Sequence, residues 1–386
     1  MKVLKLIIRN SGRHKLRSFL TIVGIAVAVL AFCILRTVVT AWYAGLDATA
    51  ADRLVTRQSV SFIFPLPLAY KDKIAALDGV KEVTFLNWFG GVYKDKNNFF
   101  ARMAVDAETI FDVYPEFLLP PEQKEAFLKD RRGCIIGKDI AKQFNLKVGD
   151  PMTIEGDIYP GTWDFIIQGI YTPRDKTTDA TQMFFQWKYI NEEMEKNAPV
   201  RANQVGWYVV QIKDPARSAE ISQKIDNLFA NSTAETKTET ERAFQQSFIS
   251  ASGAIITAMN FLSFVIIGII MLVLGNTMVM TARERTREYA VLRTLGFSNI
   301  HVVGLVFGES IIISCLGGVA GLLISVPMIK GIEEAMPKGF FPIFVLEPVT
   351  IALAFGSAIF IGVLASIFPS QRAVKTKIVD GLRFIG

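Results

Sequence analysis

The chain has 386 residues with a formal net charge of +6; 51% of them are hydrophobic and only 20% are charged. Its mean hydropathy of +0.34 excludes an ordinary soluble protein, where about 25% of residues are charged, and the apolar content excludes disorder as the main state. Two histidines, and three cysteines without a spacing motif, argue against a histidine-rich metal site, most histidine-based catalysis and a disulfide framework.

The first apolar stretch runs from Ser18 to Trp42 and is interrupted only by Arg36. It is long enough to cross a bilayer, which takes about 20 apolar residues. A cleaved signal peptide is the alternative, but cleavage near Thr49 would leave a leader of about 50 residues, well above the usual length of roughly 15–30. We therefore predict a retained transmembrane helix over 18–42, preceded by a basic amphipathic start at 1–17.

The region 43–250 has the composition of a soluble domain, with 25 basic and 29 acidic residues and a net charge of −4. Short strand-like and helical segments alternate along it, with a β-rich middle. We predict a large α+β extracytoplasmic domain made of an α/β lobe, whose segments share one sheet, and a β-rich lobe inserted at about 100–190. Five aromatic residues could line a binding surface, but core packing is the better interpretation because aromatics dominate cores. These residues are Phe62, Phe64, Phe85, Trp88 and Phe89.

The second apolar stretch carries no charge over 243–282. Forty helical residues would be about 60 Å long, twice the thickness of a bilayer core of about 30 Å. We predict one continuous helix that starts in the outer domain and contains a transmembrane part at 251–280. The alternative is a break near Gly253, since long helices bend at glycine and serine.

Two further transmembrane helices are predicted at 300–329 and 348–368, separated by an outer loop at 330–347. A charged side chain at the centre of a membrane helix costs at least about 2.5–3.5 kcal/mol. We expect Arg36 to extend towards the outer headgroups. We expect Glu309, the only acid of the third stretch, to lie near the inner interface and to cap or pair with an arginine such as Arg283.

Small residues four apart include Gly24 and Ala28 in the first of these helices and Gly317 and Gly321 in the third. Such spacing allows two helices to pack closely. The sequence leaves open whether that packing is within one subunit or between two.

Basic residues set the orientation of the chain. They dominate the start, the loop at 281–299 and the tail at 369–386, whereas acids dominate the loop at 330–347. We therefore predict cytoplasmic termini and an extracytoplasmic domain at 43–250. The positive balance then indicates attraction to membrane lipids rather than nucleic-acid binding.

Motifs that carry catalysis are missing from the sequence. The nearest approach to a nucleotide-binding Walker A loop is Gly133 to Lys138, which has three residues between its glycines where four are needed, and Asp139 follows in place of a hydroxyl. We predict no enzyme activity, no cofactor and no metal, so energy for any work would come from a partner.

The loop between the second and third apolar stretches predicts a short amphipathic helix over 284–297 that ends at a glycine. It could bind lipid headgroups, but its acids favour docking into the groove of a cytosolic protein. The residues that we expect to make this contact are Glu284, Arg287, Glu288, Leu292, Arg293 and Gly296.

The stretch from Arg285 to Gly296 resembles the coupling-helix signature of the MacB/LolC/FtsX-type ABC permeases. The matching positions are Arg287, Glu288, Ala290, Arg293 and Gly296. Weaker similarities occur at 17–25, 137–151, 308–310, 368–373 and 380–382, so that the resemblance covers the whole chain.

The resemblance implies a mechanotransmission permease of the bacterial inner membrane, with a porter-like α/β lobe in its outer domain that handles cargo. A second permease, identical or paralogous, would pair with it, and two copies of a separate cytosolic ABC ATPase would sit beneath. The favoured function is an export or extraction permease that moves its outer domain when the ATPase closes. A lipoprotein-releasing LolC/E-like subunit and an FtsX-like regulator of a cell-wall hydrolase stay open, as does the need for a periplasmic adaptor and an outer-membrane duct.

Overall fold

The computed structural model describes residues 15–44, 46, 49–175, 178–336 and 344–375. The chain divides into two compact units. The first, called the membrane unit below, takes in the described parts of Met1–Thr40, Gly253–Glu333 and Phe344–Gly386. The second, called the sheet domain, is Ala41–Ser252, to which the described part of Glu334–Ile343 is added.

Twelve α-helices and twelve strands lie within the described residues. The helices are α1 (Lys15–Tyr43), α2 (Tyr70–Ala75), α3 (Ile110–Val113), α4 (Pro121–Lys129), α5 (Lys138–Phe144), α6 (Trp187–Asn197), α7 (Ser218–Leu228), α8 (Glu241–Ala251), α9 (Gly253–Glu284), α10 (Thr286–Thr294), α11 (Asn299–Ala335) and α12 (Pro348–Lys375). The strands are β1 (Arg53–Gln58), β2 (Leu66–Pro67), β3 (Val80–Trp88), β4 (Ala101–Val105), β5 (Phe117–Leu118), β6 (Gly133–Gly137), β7 (Pro151–Gly156), β8 (Gly161–Pro173), β9 (Gln182–Gln186), β10 (Gln204–Val205), β11 (Trp207–Ile212) and β12 (Thr236–Thr240).

Four of the helices, α1, α9, α11 and α12, are long and apolar enough to cross a membrane, with 29, 32, 37 and 28 residues. At 1.5 Å of rise per residue each exceeds the roughly 30 Å of a hydrocarbon core. The prediction of four transmembrane helices is confirmed.

In the membrane unit, α11 packs closely against α1 at two glycines. A Cβ atom on Gly317 would lie 2.7 Å from Cβ of Ile25, and one on Gly321 would lie 2.7 Å from Cβ of Val29. Both distances are shorter than any normal carbon contact, so the two backbones can approach this closely only because both positions are glycine. The small pair at 317 and 321 therefore packs within one chain.

The other small pair, Gly24 and Ala28, lies on a different face of α1 from Ile25 and Val29, which contact α11. Gly24 is exposed and Ala28 half-buried, and the atom nearest to a Cβ on Gly24 would be Cγ1 of Val273, at 4.0 Å. That distance is an ordinary contact, so close packing at Gly24 and Ala28 stays a prediction.

The long apolar region at 243–282 is not one helix. Helix α8 ends at Ala251 and α9 begins at Gly253, and the N–H of Ser252 bonds back to the carbonyl oxygens of Phe248 and Ile249. The prediction of a continuous helix is therefore wrong, and the alternative break near Gly253 is correct. Adjacent serine and glycine make such a break inexpensive, and the two compact units divide at the same place.

The sheet domain is built on one ten-stranded sheet with the order β12-β1-β11-β3-β4-β9-β6-β8-β5, in which β7 also pairs with β8. Strands β4 to β9 all come from 101–186, and the bounds of the insert, about 100–190, stay a prediction. They join the rest through the antiparallel pair β3 and β4, where Leu86 faces Val105. The inserted half thus continues the sheet of the α/β half, and the segments predicted to share a sheet do so.

Apolar clusters cover both faces of this sheet. Phe85 and Phe89 are buried, which supports the core interpretation for both, and Phe89 is ringed by four other aromatic side chains. Phe62 and Trp88 are half-buried, whereas Phe64 is exposed. Only part of the aromatic set predicted from the sequence is therefore core.

The glycine-bounded segment that fails to match a Walker A loop is strand β6, buried along its whole length. A Cβ atom on its last residue, Gly137, would lie 1.9 Å from the carbonyl oxygen of Ala180. The glycine is thus needed for close backbone packing.

Candidate functional site

The short helix α10 lies between α9 and α11, as predicted. It ends at Thr294, and Gly296 lies just beyond the C-cap with a φ of +90°, which is left-handed and favours glycine. The N–H of Gly296 bonds to the carbonyl oxygen of Arg293 at 3.2 Å, and that of Phe297 bonds to the carbonyl oxygen of Leu292 at 3.1 Å. These two bonds form a Schellman cap, so the prediction of a glycine helix end is confirmed.

One face of α10 packs on the ends of α9, α11 and α12. Tyr289, 4% exposed, is at its centre. Leu292 is half-buried against the same cluster, and Nη1 of Arg293 donates to the carbonyl oxygen of Val374 at 3.3 Å. Leu292 and Arg293 therefore bind α10 to its own bundle. The fully buried members of the cluster are Ala282, Tyr289, Val302, Val306 and Ala373.

The opposite face of α10 is exposed and combines an apolar stripe with two charges. Leu295 is 70% exposed and Val291 41%, and Arg287 and Glu288 are exposed beside them. Sequence reasoning selected Leu292 for the outer face and missed Leu295. The spacing of 288, 291 and 295, one helical turn apart at each step, was the signal that could have identified this face.

A buried ion pair joins the start of α10 to α11. Nη1 of Arg285 donates to Oε2 of Glu309 at 2.8 Å, and the two side chains are 5% and 7% exposed. The expected arginine partner for Glu309 is found, but it is Arg285, whereas Arg283 is exposed. Burial of its ring raises the pKa of the adjacent Tyr289 to about 12, although the Arg285 guanidinium opposes that shift.

A second ion pair joins α1 to the last residue of α9. Nη1 and Nη2 of Arg17 donate to the two carboxylate oxygens of Glu284 at 2.7 and 2.6 Å, and both side chains are partly exposed. Because α9 ends at Glu284 and α10 begins at Thr286, Glu284 lies before α10 and not within the helix as predicted. Arg36, half-buried in α1, makes no ion pair within the described ranges, and its predicted position near the headgroups stays a prediction.

A further buried cluster lies where the chain enters and leaves the sheet domain. There β1 and β12 pair side by side, with Leu54 opposite Thr240. Arg53 is 3% exposed; its Nε pairs with Oε2 of Glu241 at 2.8 Å and its Nη1 with Oε1 of Glu116 at 2.7 Å. Burial alone would lower the pKa of Arg53, but the surrounding negative charge outweighs it and the pKa is raised.

Glu241, the first residue of α8, holds this cluster together. Besides Arg53 it accepts hydrogen bonds from the N–H of Ala50 at 3.1 Å and from the hydroxyl of Tyr114 at 3.2 Å. Burial first, then the Glu241 charge, raises the pKa of Tyr114 well above its ordinary value. The segment after α1, the segment before α9 and the inserted half of the sheet domain therefore meet at this cluster, and no local sequence pattern predicts it.

The sheet domain also contains an open cavity of about 450 Å³, a volume within the small-molecule range. Phe85 and Trp187 contribute apolar surface to it, and Lys71 forms an ion pair with Asp106 at its wall. In the part of the chain that the structure describes, no three His, Cys, Asp or Glu side chains gather as a metal site.

Four membrane-spanning helices, a large sheet domain after the first, and an amphipathic helix between the second and third define a polytopic membrane permease. The MacB-like periplasmic core domain model matches residues 18–228, more than half of the chain, and the FtsX-like permease C-terminal model matches residues 260–378. The chain belongs to the MacB/FtsX-type ABC transporter permeases, and the resemblance found in the sequence is confirmed.

Several relatives agree with this assignment. An uncharacterised ABC transporter permease of Methanocaldococcus jannaschii is 21% identical, covering 97% of this chain and 96% of the relative. An uncharacterised ABC transporter permease of Mycobacterium tuberculosis is 21% identical over 67% of this chain, and the macrolide export ATP-binding/permease protein MacB of Nitrobacter winogradskyi is 29% identical over 45%. The matched regions make up only 29% and 27% of those two proteins.

Solved structures similar to this chain include the periplasmic region of MacB from Actinobacillus actinomycetemcomitans. It is 12% identical, with a TM-score of 0.38, and the match covers 53% of this chain and 95% of that one.

Proposed function

We propose that the chain is the permease subunit of an ABC-type export or extraction system, in which a separate cytosolic ATPase binds α10. The exposed face of α10 carries this proposal. An apolar stripe of Val291 and Leu295 flanked by Arg287 and Glu288 suits a groove that is apolar at its centre and charged at its edges. Lipid headgroups alone would favour a purely basic face, which the acid at 288 does not provide.

The orientation follows from the distribution of basic residues in the membrane unit. Contacts of Arg17 with Glu284 and of Arg293 with Val374 bring the start of α1, the α10 loop and the end of α12 together at one end of the bundle. That end is rich in lysine and arginine, and short cytoplasmic loops carry such an excess. In our proposal this end is cytoplasmic, and the sheet domain lies on the outer side.

Movement would pass to the sheet domain through its two chain connections. These connections follow α1 and precede α9, and the Arg53–Glu241 pair holds them together. In our proposal a displacement of the membrane helices therefore acts on the sheet domain as a whole, and cargo is handled outside the membrane. Two permeases, identical or paralogous, would share two ATPase subunits.

The test is copurification of the full chain from its native membranes in detergent, with mass spectrometry of the bound proteins and an ATP hydrolysis assay. We expect an ABC ATPase to copurify with the unmodified chain. Leu295→Asp should lower its recovery at least tenfold, because the substitution places a carboxylate in the apolar stripe. Leu228→Asp, at a residue of the sheet domain that is 45% exposed, is the matched control and should not change recovery.

Equal recovery of the ATPase with both variants would contradict α10 as the docking element. Identifying the other bound proteins also separates the alternatives. A cell-wall hydrolase would favour an FtsX-like regulator, and a periplasmic lipoprotein carrier would favour a LolC/E-like subunit.

A further inference from the structure

The junction between α9 and α10 is a single residue, Arg285. Its backbone continues the turn, since its N–H bonds to the carbonyl oxygen of Thr281 and its own carbonyl accepts the N–H of Tyr289. Its side chain extends away from the helix backbone towards α11, where Nη1 donates a buried hydrogen bond to Oε2 of Glu309 at 2.8 Å. The start of α10 is thus attached to α11 by charge and not only by apolar contact.

The residue that follows Glu309 makes a second connection, to α12. Oγ of Ser310 donates to the carbonyl oxygen of Gly362 at 2.6 Å, and a Cβ atom on Gly362 would lie 2.3 Å from Oγ of Ser314. Successive residues of an α-helix point about 100° apart. At one level, therefore, α11 holds α10 through Glu309 and α12 through Ser310.

Stability alone does not account for the buried pair. Replacing a buried ion pair by well-packed apolar residues is often neutral or stabilising, because desolvation offsets the attraction. What a pair adds is direction, since the hydrogen bonds between a guanidinium and a carboxylate form only in specific relative orientations. The apolar cluster beneath α10 is small and its contacts are not directional, so by itself it would let the helix slide.

We propose that Arg285 and Glu309 are positioning residues that fix α10 to α11, so that a displacement of α10 carries α11 and α12 with it. This inference rests on the proposed function, in which a cytosolic ATPase supplies the displacement. When either charge is removed, the apolar cluster and the Arg293 bond keep α10 on the bundle and its exposed face is unchanged, but the helix opens more often and follows the movement of the bundle less closely. The ATPase then still binds, and its closure is no longer transmitted.

The attachment is tested by hydrogen–deuterium exchange of the full chain in lipid nanodiscs, followed at the backbone amides of 286–294. Glu309→Gln should exchange at least tenfold faster there than the unmodified chain. Arg283→Gln is the matched control, because Arg283 is also a charged residue next to the junction but is exposed, and exposed charges contribute little; it should change exchange less than twofold. Reversal of the pair, Arg285→Glu with Glu309→Arg, should restore exchange to within threefold.

Unchanged exchange in Glu309→Gln, or no recovery in the reversed pair, overturns the attachment. If Glu309→Gln does not fold, Arg285→Lys replaces it. This variant keeps the charge but loses the planar fork, so about threefold faster exchange is expected, and exchange equal to that of the unmodified chain overturns the attachment in the same way.

Transmission is tested on the copurified complex with its ATPase. For Glu309→Gln we expect the same amount of bound ATPase and the same KM for ATP, with kcat at least fivefold lower, whereas a damaged fold would also lose the bound subunit. An unchanged kcat together with accelerated exchange overturns the transmission role. A chain that shows the exchange pattern but never recovers an ATPase overturns the proposed function and leaves the attachment intact.

Discussion

Substitution of Glu241 by Ala tests whether the buried cluster holds the sheet domain together. The change removes the acceptor of the Arg53 Nε, of the Ala50 N–H and of the Tyr114 hydroxyl. Breaking a buried ion pair from one side costs about 3–5 kcal/mol. Glu116 still faces Arg53, so we take the lower end, about 3 kcal/mol.

All five tryptophans lie within Ala41–Ser252, so tryptophan fluorescence during heating reports the sheet domain. For a domain of about 200 residues each kcal/mol shifts Tm by about 2–4 °C, and Glu241→Ala should lower Tm by about 6–12 °C. Glu125→Gln is the control: its pair with Lys129 is about three-quarters exposed, and a shift below about 2 °C is expected. If Glu241→Ala lowers Tm no more than this control, the cluster does not hold the domain.

Three further predictions concern close packing at glycines and the burial of a tyrosine. The double variant Gly317→Ala with Gly321→Ala should push α1 and α11 apart and lower the Tm of the detergent-solubilised chain, whereas Gly304→Ala in the same helix, where nothing lies within 4 Å of a Cβ, should not. Gly137→Ala should destabilise the sheet domain by about 2 kcal/mol, because the methyl group overlaps a backbone carbonyl, and fluorescence-detected unfolding measures the loss. Burial raises the pKa of Tyr289 from 10 to about 12, so as pH rises the tyrosine hydroxyl ionises in the unfolded chain before it ionises in the folded chain. The contribution of this residue to folding stability is therefore complete below pH 10 and is lost as pH rises through 12. The tyrosinate absorbance difference between the unmodified chain and Tyr289→Phe should therefore rise near pH 12; a rise near pH 10 would contradict the burial of this ring.

The features predicted well from the sequence are those that depend on a local pattern. The lipid core demands about 20 consecutive apolar residues per helix, so hydropathy located all four membrane helices. The end of α10 at Gly296 was predictable because a left-handed cap selects glycine. The break at Ser252 was harder to predict, since apolar content continues across it and only the serine–glycine step marks it.

The features that escaped prediction depend on contacts distant in sequence. Which side of α10 faces outward is decided by how the helix lies on the bundle, and Leu292 and Leu295 are equally apolar in the sequence. Hydropathy shows that Glu309 is the only acid in an apolar stretch, but it does not indicate which arginine of the loop pairs with it. Arg53 and Glu241 are 188 residues apart, with no local sign that they meet.

The two most buried ion pairs in the described part of the chain each lie at a junction between two elements of secondary structure. Stabilisation alone does not explain this placement. Arg285 and Glu309 meet at the junction of α9 and α10, and Arg53 and Glu241 meet at the junction of β12 and α8. Apolar side chains would hold such junctions at no desolvation cost, but they would not fix their direction. The proposed function, in which the permease transmits movement, requires elements that keep a fixed relative orientation while they are displaced. Buried ion pairs at two junctions between elements meet this requirement, so in that proposal loss of either pair affects transmission more than binding.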